Sequence, residues 1–282
     1  MNAQTFPLVP EPLTLEQMRE MQQRQIKKHH VAIVLLHWFN AFVWFIELTT
    51  GLGLISSPAF RIAPEWYTTM MTSAFGAANL LRFHIAVGMV WIVVFLVYGI
   101  FGYRDYLHHE VLSREIGLDH DDFEWLRIRT LLLLKRTKEA LPPQGIYNAG
   151  QKLFAFLVYA ALPVIAITGV IMAFHVFRPS LVAWAMLLHL LAVGMVVSGL
   201  MVHAYMGAVF PEEKPAFFSM ITGMVNELYA YRHHYKWWKE VKEEERRWEQ
   251  ELESKRLDDS APVAEASSRK PREEDIPVDG GH

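Results

Sequence analysis

The sequence contains no cysteine. Disulfides, Cys-ligated iron–sulfur clusters, zinc–thiolate sites and covalently attached c-type haem are therefore excluded, and any cofactor must be held by His, Met or carboxylates. Charge is lacking in another sense. The 27 Lys and Arg and 30 Asp and Glu nearly balance, but they are kept out of four apolar blocks. One block, residues 181–210, runs thirty residues without a charged side chain. As a helix it rises about 45 Å, against a hydrocarbon core of roughly 30 Å. The first 30 residues hold no apolar stretch of signal-peptide type, so no cleaved signal is expected. There is no nucleotide-binding loop and no metal cage, so substrate chemistry is not expected on this chain.

What is present is an all-α pattern, an integral membrane four-helix bundle with spans at about 31–55, 83–103, 150–175 and 181–210. Residues 1–30 read as a polar extension with a helical pattern, LTLEQMREMQQRQIKKHH, suited to a surface helix or a docking arm. The connection 104–147 carries an amphipathic pattern, FEWLRIRTLLLLKRTKEAL, suited to an interfacial helix. Residues 211–256 read as membrane-flanking helices, and 257–282 have the composition of a disordered tail. Pro163 falls inside the third span, where a kink is expected. Lys and Arg set the orientation. Residues 1–30 carry four, 104–147 seven and the C-terminal region twelve, whereas the two opposite connections share Arg61, Arg82 and Arg178. Both termini are expected in the cytoplasm, with the protein in a bacterial inner membrane.

Four histidines fall within spans: His37, His84, His189 and His203. His189 and His203 are 14 residues apart, about 21 Å along a helix and within ~40° of one face. The orientation places His37 and His203 near the inner face and His84 and His189 near the outer one. Each pair can supply two axial nitrogens to a six-coordinate haem, a ligation that leaves no open position for oxygen and suits electron transfer. Two b haems are the expected cofactors, because ~21 Å between the two levels calls for two large groups rather than one ion. Gly51, Gly88, Gly169, Gly194 and Gly199 would let macrocycles approach the backbone, though membrane helices also use glycine for packing alone. Glu47, the one acidic residue within a span, reads either as a hydrogen-bonded carboxyl at a helix interface or as a proton relay. Asn148, Gln151 and Lys152, at the inner edge of the third span, read as an interfacial cap and a snorkelling lysine.

Several of these stretches resemble the cytochrome b (gamma) subunit of respiratory membrane-bound formate dehydrogenases, within the dihaem cytochrome b family. They are His37-Trp38 with Gly51; YNAGQK at 147–152 with TGV at 168–170; LLH at 187–189 with HAYM at 203–206; and Gly223-Met224-Val225 with His233-His234. The likeness covers about 30–240, and YNAGQK with the LLH-to-His spacing is its specific part. The resemblance implies a four-helix bundle binding two b haems, with His84 and His189 on the outer haem and His37 and His203 on the inner. It implies a quinone site (menaquinone or ubiquinone) beside the inner haem, formed by Asn148, Gln151 and Lys152. It further implies an outer-face iron–sulfur subunit and a molybdenum or tungsten catalytic subunit as partners, the chain itself being the non-catalytic electron-transfer subunit. Membrane lipid and quinone, not nucleic acid, complete the partners, and a higher oligomer of the complex is left open. A hydrogenase or a thiosulfate- or polysulfide-type complex, run from quinol, would use the same core. A haem-free transporter with histidine relays, or a membrane anchor, are the other readings. The family's Arg three residues before the first His is Val34 here, which leaves Lys27, Lys28, His30 or Arg104 to steady a haem propionate.

Overall fold

The computed structural model describes residues 12–102, 117–174 and 177–260. Four helices are long and apolar enough to cross a membrane: α2 (Val31–Leu54), α4 (Ala77–Gly102), α6 (Ala149–Ala173) and α7 (Pro179–Ala204). The last continues through a wider π turn, Tyr205–Val209. The expected four-helix membrane bundle is therefore present. Around the spans lie α1 (Leu15–Gln23), β1 (Gln25–Lys27), α3 (Glu65–Phe75), α5 (His120–Leu133), α8 (Lys214–Thr222), β2 (Met224–Asn226), α9 (Glu227–His233) and α10 (Tyr235–Ser260).

Sequence chemistry accounts for most boundaries. His30 caps α2, its Nδ1 accepting from Ala32 N at 3.3 Å. Asn148 and Gln151 close a reciprocal capping box at the start of α6, satisfying two amides that helix geometry leaves orphaned. Pro179 opens α7 at a position where a missing N–H costs nothing. Pro163 sits inside α6 without ending it.

α6 packs most extensively on α7 and α2 on α4. Small residues permit the first contact: Ala161, Ala192 and Val196 form one buried cluster, as close approach of membrane helices requires. Val43, Trp91 and Leu162 form a second, and Trp91 Nε1 donates to Asn40 Oδ1 at 2.9 Å. Phe42, Phe45, Leu96, Ile100 and Leu191 are exposed, the apolar surface a span turns to lipid.

Four expectations change. The second span begins at Ala77, not 83, because α3 fills part of the preceding connection and turns into α4 through Gly76 at φ 75°. The loop helix ends at Leu133, and the basic KRTKEAL is not helical after Lys135, which takes φ 55°. The N-terminal pattern is not one helix. After α1 it becomes β1, antiparallel to β2 with Ile26 opposite Val225, so alternate burial replaces helical periodicity. Finally α10 extends to Ser260, into the expected tail. The rest of that tail, and Arg104 in the long connection, lie outside the described residues. Contacts divide the chain after Trp238 into two compact units, the second being the charged remainder of α10 with pairs such as Lys242–Glu245 at 3.1 Å.

One internal tie is ionic. Lys152 Nζ donates to Asp122 Oδ2 at 2.8 Å and to Gly117 O at 3.1 Å, with side-chain exposures of 8% and 2%. Lys152 therefore does not snorkel; it pins α5 to α6. Breaking a buried pair strands the remaining charge, at about 3–5 kcal/mol, whereas replacing both partners with apolar groups is far milder. Asp122→Ala alone should thus lower the stability of the solubilised protein by about that much. Asp122→Leu with Lys152→Met should recover most of it in a thermal double-mutant cycle.

Candidate haem and quinone sites

The two histidine levels are built differently. At the level away from the chain ends, His84 Nδ1 lies 2.8 Å from Thr50 Oγ1 and 2.8 Å from Glu47 Oε2. Thr50 gives its own proton to Ile46 O at 2.7 Å, so its oxygen is left to accept. Both neighbours of His84 are acceptors. The proton of the neutral ring therefore sits on Nδ1, leaving the Nε2 lone pair free to ligate. α6 and α7 repeat the device: Thr168 Oγ1 donates to a carbonyl of its own helix, Val164 O, and lies 3.0 Å from His189 Nδ1. In both cases glycine follows the threonine. A Cβ on Gly51 would lie 3.4 Å from the His84 ring and one on Gly169 3.6 Å from the His189 ring. Thr-Gly on one helix thus positions His on the next, twice.

Toward the chain ends, the His37 and His203 rings face each other with centroids 6.2 Å apart and planes at 61°. Two metal–imidazole bonds of about 2 Å plus the ring radii give a separation of about 6 Å, so this pair fits one iron between two nitrogens. Phe154 stacks on His203 at 4.8 Å, and a Cβ on Gly199 would meet Phe154 at 2.9 Å. Gly88 faces Glu47 Oε1 at 3.8 Å, and Gly194 has nothing within 4 Å. Gly88, Gly194 and Gly199 therefore do not line the histidines in the way Gly51 and Gly169 do. Among the described residues no three His, Asp or Glu side chains gather to hold a bare metal ion.

The chain ends assemble beside the His37/His203 level. Trp38 Nε1 donates to Met220 O at 2.5 Å, fixing α8 to α2. Lys28 N and His29 N both donate to Gly223 O, at 2.8 and 3.0 Å. Gly223 takes φ 75°, and a Cβ there would come within 2.8 Å of His29 O, so only glycine fits. Lys28 is buried, its ammonium 3.2 Å from His234 Nε2, while His234 Nδ1 donates to Gly145 O at 2.7 Å. Lys28 also lies 5.8 Å from the Tyr229 ring centre and 6.0 Å from that of Trp237. Burial lowers the Lys28 pKa to about 8, partly offset by Glu213. Burial, then the charges of Lys28 and His37, bring His29 down to about 3, so its ring is neutral.

Sequence reasoning missed the roles of Thr50 and Thr168 and the burial of Lys28 and His29. The Thr-Gly pairs preceding span histidines were the signal for the first two. In the quinone candidates, Asn148 Oδ1 accepts from Gln151 N and Gln151 Oε1 from Asn148 N, both at 3.0 Å. The cap fixes each amide's orientation and leaves both amide nitrogens unused among the described residues. Lys152 spends two of its three N–H groups on Asp122 and Gly117. Of the propionate candidates, Lys28 is engaged by His234, His30 caps α2, and Lys27 is exposed on β1.

Four spans, three of which carry the four histidines, with Nε2 left for a metal at one level and a facing ring pair at the other, suit a b-type cytochrome of the membrane. The chain belongs to the prokaryotic cytochrome b561 family, whose model matches residues 28–223. Haem b is accordingly its cofactor and electron transfer its role. It is similar to the cytochrome b556(fdo) subunit of formate dehydrogenase from Escherichia coli K12, 28% identical over 212 residues, covering 73% of this chain and 88% of the relative. The cytochrome b556(Fdn) subunit of the nitrate-inducible enzyme from the same strain is 25% identical over 224 residues, covering 76% and 91%. The formate dehydrogenase cytochrome b556 subunit of Haemophilus influenzae is 24% identical over 221, covering 77% and 83%.

Two expected outcomes follow from the geometry. Loss of a partner behind a metal-ligating histidine typically costs 10–100-fold in affinity. Thr168→Val should lower retention of haem b on washing by about tenfold, read as pyridine haemochrome per chain. Thr49→Val, whose hydroxyl serves only its own helix at Phe45 O and Ile46 O, should leave retention unchanged. The second concerns pH. The folded chain releases the Lys28 proton at about 8 and the unfolded chain at the ordinary 10.5. Between those values the unfolded state binds more protons, so this group makes the fold more stable as pH rises. Thermal midpoints of Lys28→Met should lack that part of the rise.

Proposed function

We propose that the chain is the dihaem cytochrome b subunit of a formate dehydrogenase-like respiratory complex in the bacterial cytoplasmic membrane, both termini cytoplasmic. It carries electrons from an outer-face iron–sulfur subunit, served by a molybdenum or tungsten catalytic subunit, to a quinone (menaquinone or ubiquinone) near the cytoplasmic face. The observation that carries this reading is the repeated Thr-Gly/His device at one depth and the facing His37/His203 pair at the other. His84 and His189 would hold one haem through their Nε2 atoms, and His37 and His203 the second. Haem b, when bound, supplies a reversible one-electron carrier. The protein's part is to fix the rings: Thr50 and Glu47 behind His84, and Thr168 behind His189, hold each tautomer. Imidazole on both sides excludes oxygen. At the inner level Asn148, oriented by its cap, has an amide N–H to give to a quinone oxygen, with Gln151 one helical turn on. The similarity to formate dehydrogenase subunits over most of their length supports the choice of complex.

A reduced-minus-oxidised spectrum of the purified protein should show a b-type alpha band from two haems per chain. His189→Ala and His203→Ala should each remove one haem and retain the other. Absence of the alpha band, or loss of both haems from either variant with the fold intact, overturns the reading.

A further inference from the structure

His29 stands in none of the roles described so far, yet it is 6% exposed and its Nδ1 is fully buried without a hydrogen-bond partner among the described residues. A buried polar atom left unpaired is costly and calls for a specific cause. Its ring lies nearly parallel to that of Tyr147, at 24° with centroids 6.4 Å apart, and Tyr147 directly precedes the capping Asn148. His29 is also close enough to His37 to sense its charge. Gly223 O holds both Lys28 N and His29 N, which fixes the backbone that carries the ring. A buried imidazole with an unpaired nitrogen thus lies beside Tyr147, the residue next to the Asn148 cap.

We propose that His29 is a second hydrogen-bonding residue of the quinone site, binding the headgroup together with Asn148. This rests on the quinone reading above. A quinone carries two carbonyl oxygens and a quinol two hydroxyls. An amide N–H such as that of Asn148 can only donate, whereas a neutral imidazole donates from one nitrogen and accepts at the other. His29 can therefore hold an oxygen in either redox state. Burial and the near-parallel Tyr147 ring also give it an aromatic setting of the kind that suits an aromatic headgroup.

The test uses the purified complex with its haems in place and the fluorescent quinol analogue 2-heptyl-4-hydroxyquinoline N-oxide, titrated by fluorescence quenching. His29→Phe keeps the stack and removes the polar atoms; His29→Leu removes both; His29→Gln restores a donor and an acceptor. Wild type should bind the analogue. His29→Phe and His29→Leu should bind it about five- to tenfold more weakly and His29→Gln within about threefold of wild type, as loss and recovery of one hydrogen bond predict. All three should show the full b-type alpha band. Undiminished binding by His29→Phe, or a loss in His29→Gln as large as in His29→Phe, overturns the assignment, the latter because it marks a packing role. An apolar variant that sheds haem also overturns it, since His29 then serves the inner haem. Failure of the wild type to bind the analogue overturns the quinone reading itself.

Discussion

A polar atom in hydrocarbon must find a partner or pay several kcal/mol, and in this bundle the constraint selects how each histidine stands. An imidazole has two nitrogens. At the level away from the termini, one is already satisfied by a threonine that has spent its own proton on the helix beneath it. The other can be satisfied only by something that accepts a lone pair. The same bond that makes the histidine tolerable in the membrane makes it a ligand of fixed tautomer. Side chains that bond back to their own helix usually weaken it slightly; here that bond is what turns the threonine into an acceptor.

Glu47 fits the same logic. Its two sequence readings were a hydrogen-bonded carboxyl and a proton relay, and its position behind His84 at 2.8 Å is that of the first. A carboxylate behind a metal-ligating imidazole raises the ring's basicity. Among the described residues no acid pairs with His189, so the two histidines meet different electrostatics while sharing the Thr-Gly frame. Lys152 also joins the structural group. It is an acid–base pair between helices, placed where a lysine near the membrane edge ordinarily reaches for water.

How much of this was legible in the sequence follows from the range of each interaction. The spans, the two histidine levels and the Asn148 cap depend on composition, helical period and neighbours three or four residues away, and those patterns are local. The α3 segment escaped notice because EWYTTMMTSAF, with Glu65 its single charge, is too short and too mixed to stand out. The ribbon escaped for a different reason. Ile26 and Val225 pair across nearly the whole chain, and a three-residue strand has no period to read. His29 lies in a polar stretch and Lys28 was offered only for a haem propionate; the ribbon carries both into a buried setting. Thr50 and Thr168 were visible as Thr-Gly pairs, yet their meaning needs the facing helix.

The β1–β2 ribbon also fixes an order of events. Its two strands lie on opposite sides of all four spans in the sequence, so the first cannot pair until the last span has been made. At about 5–20 residues per second of synthesis, the delay is roughly 10–40 s. Until that pairing forms, the His37/His203 end of the bundle lacks the clamp at Gly223 that seats Lys28 and His29. The ribbon is a latch between a segment made early and a segment made late.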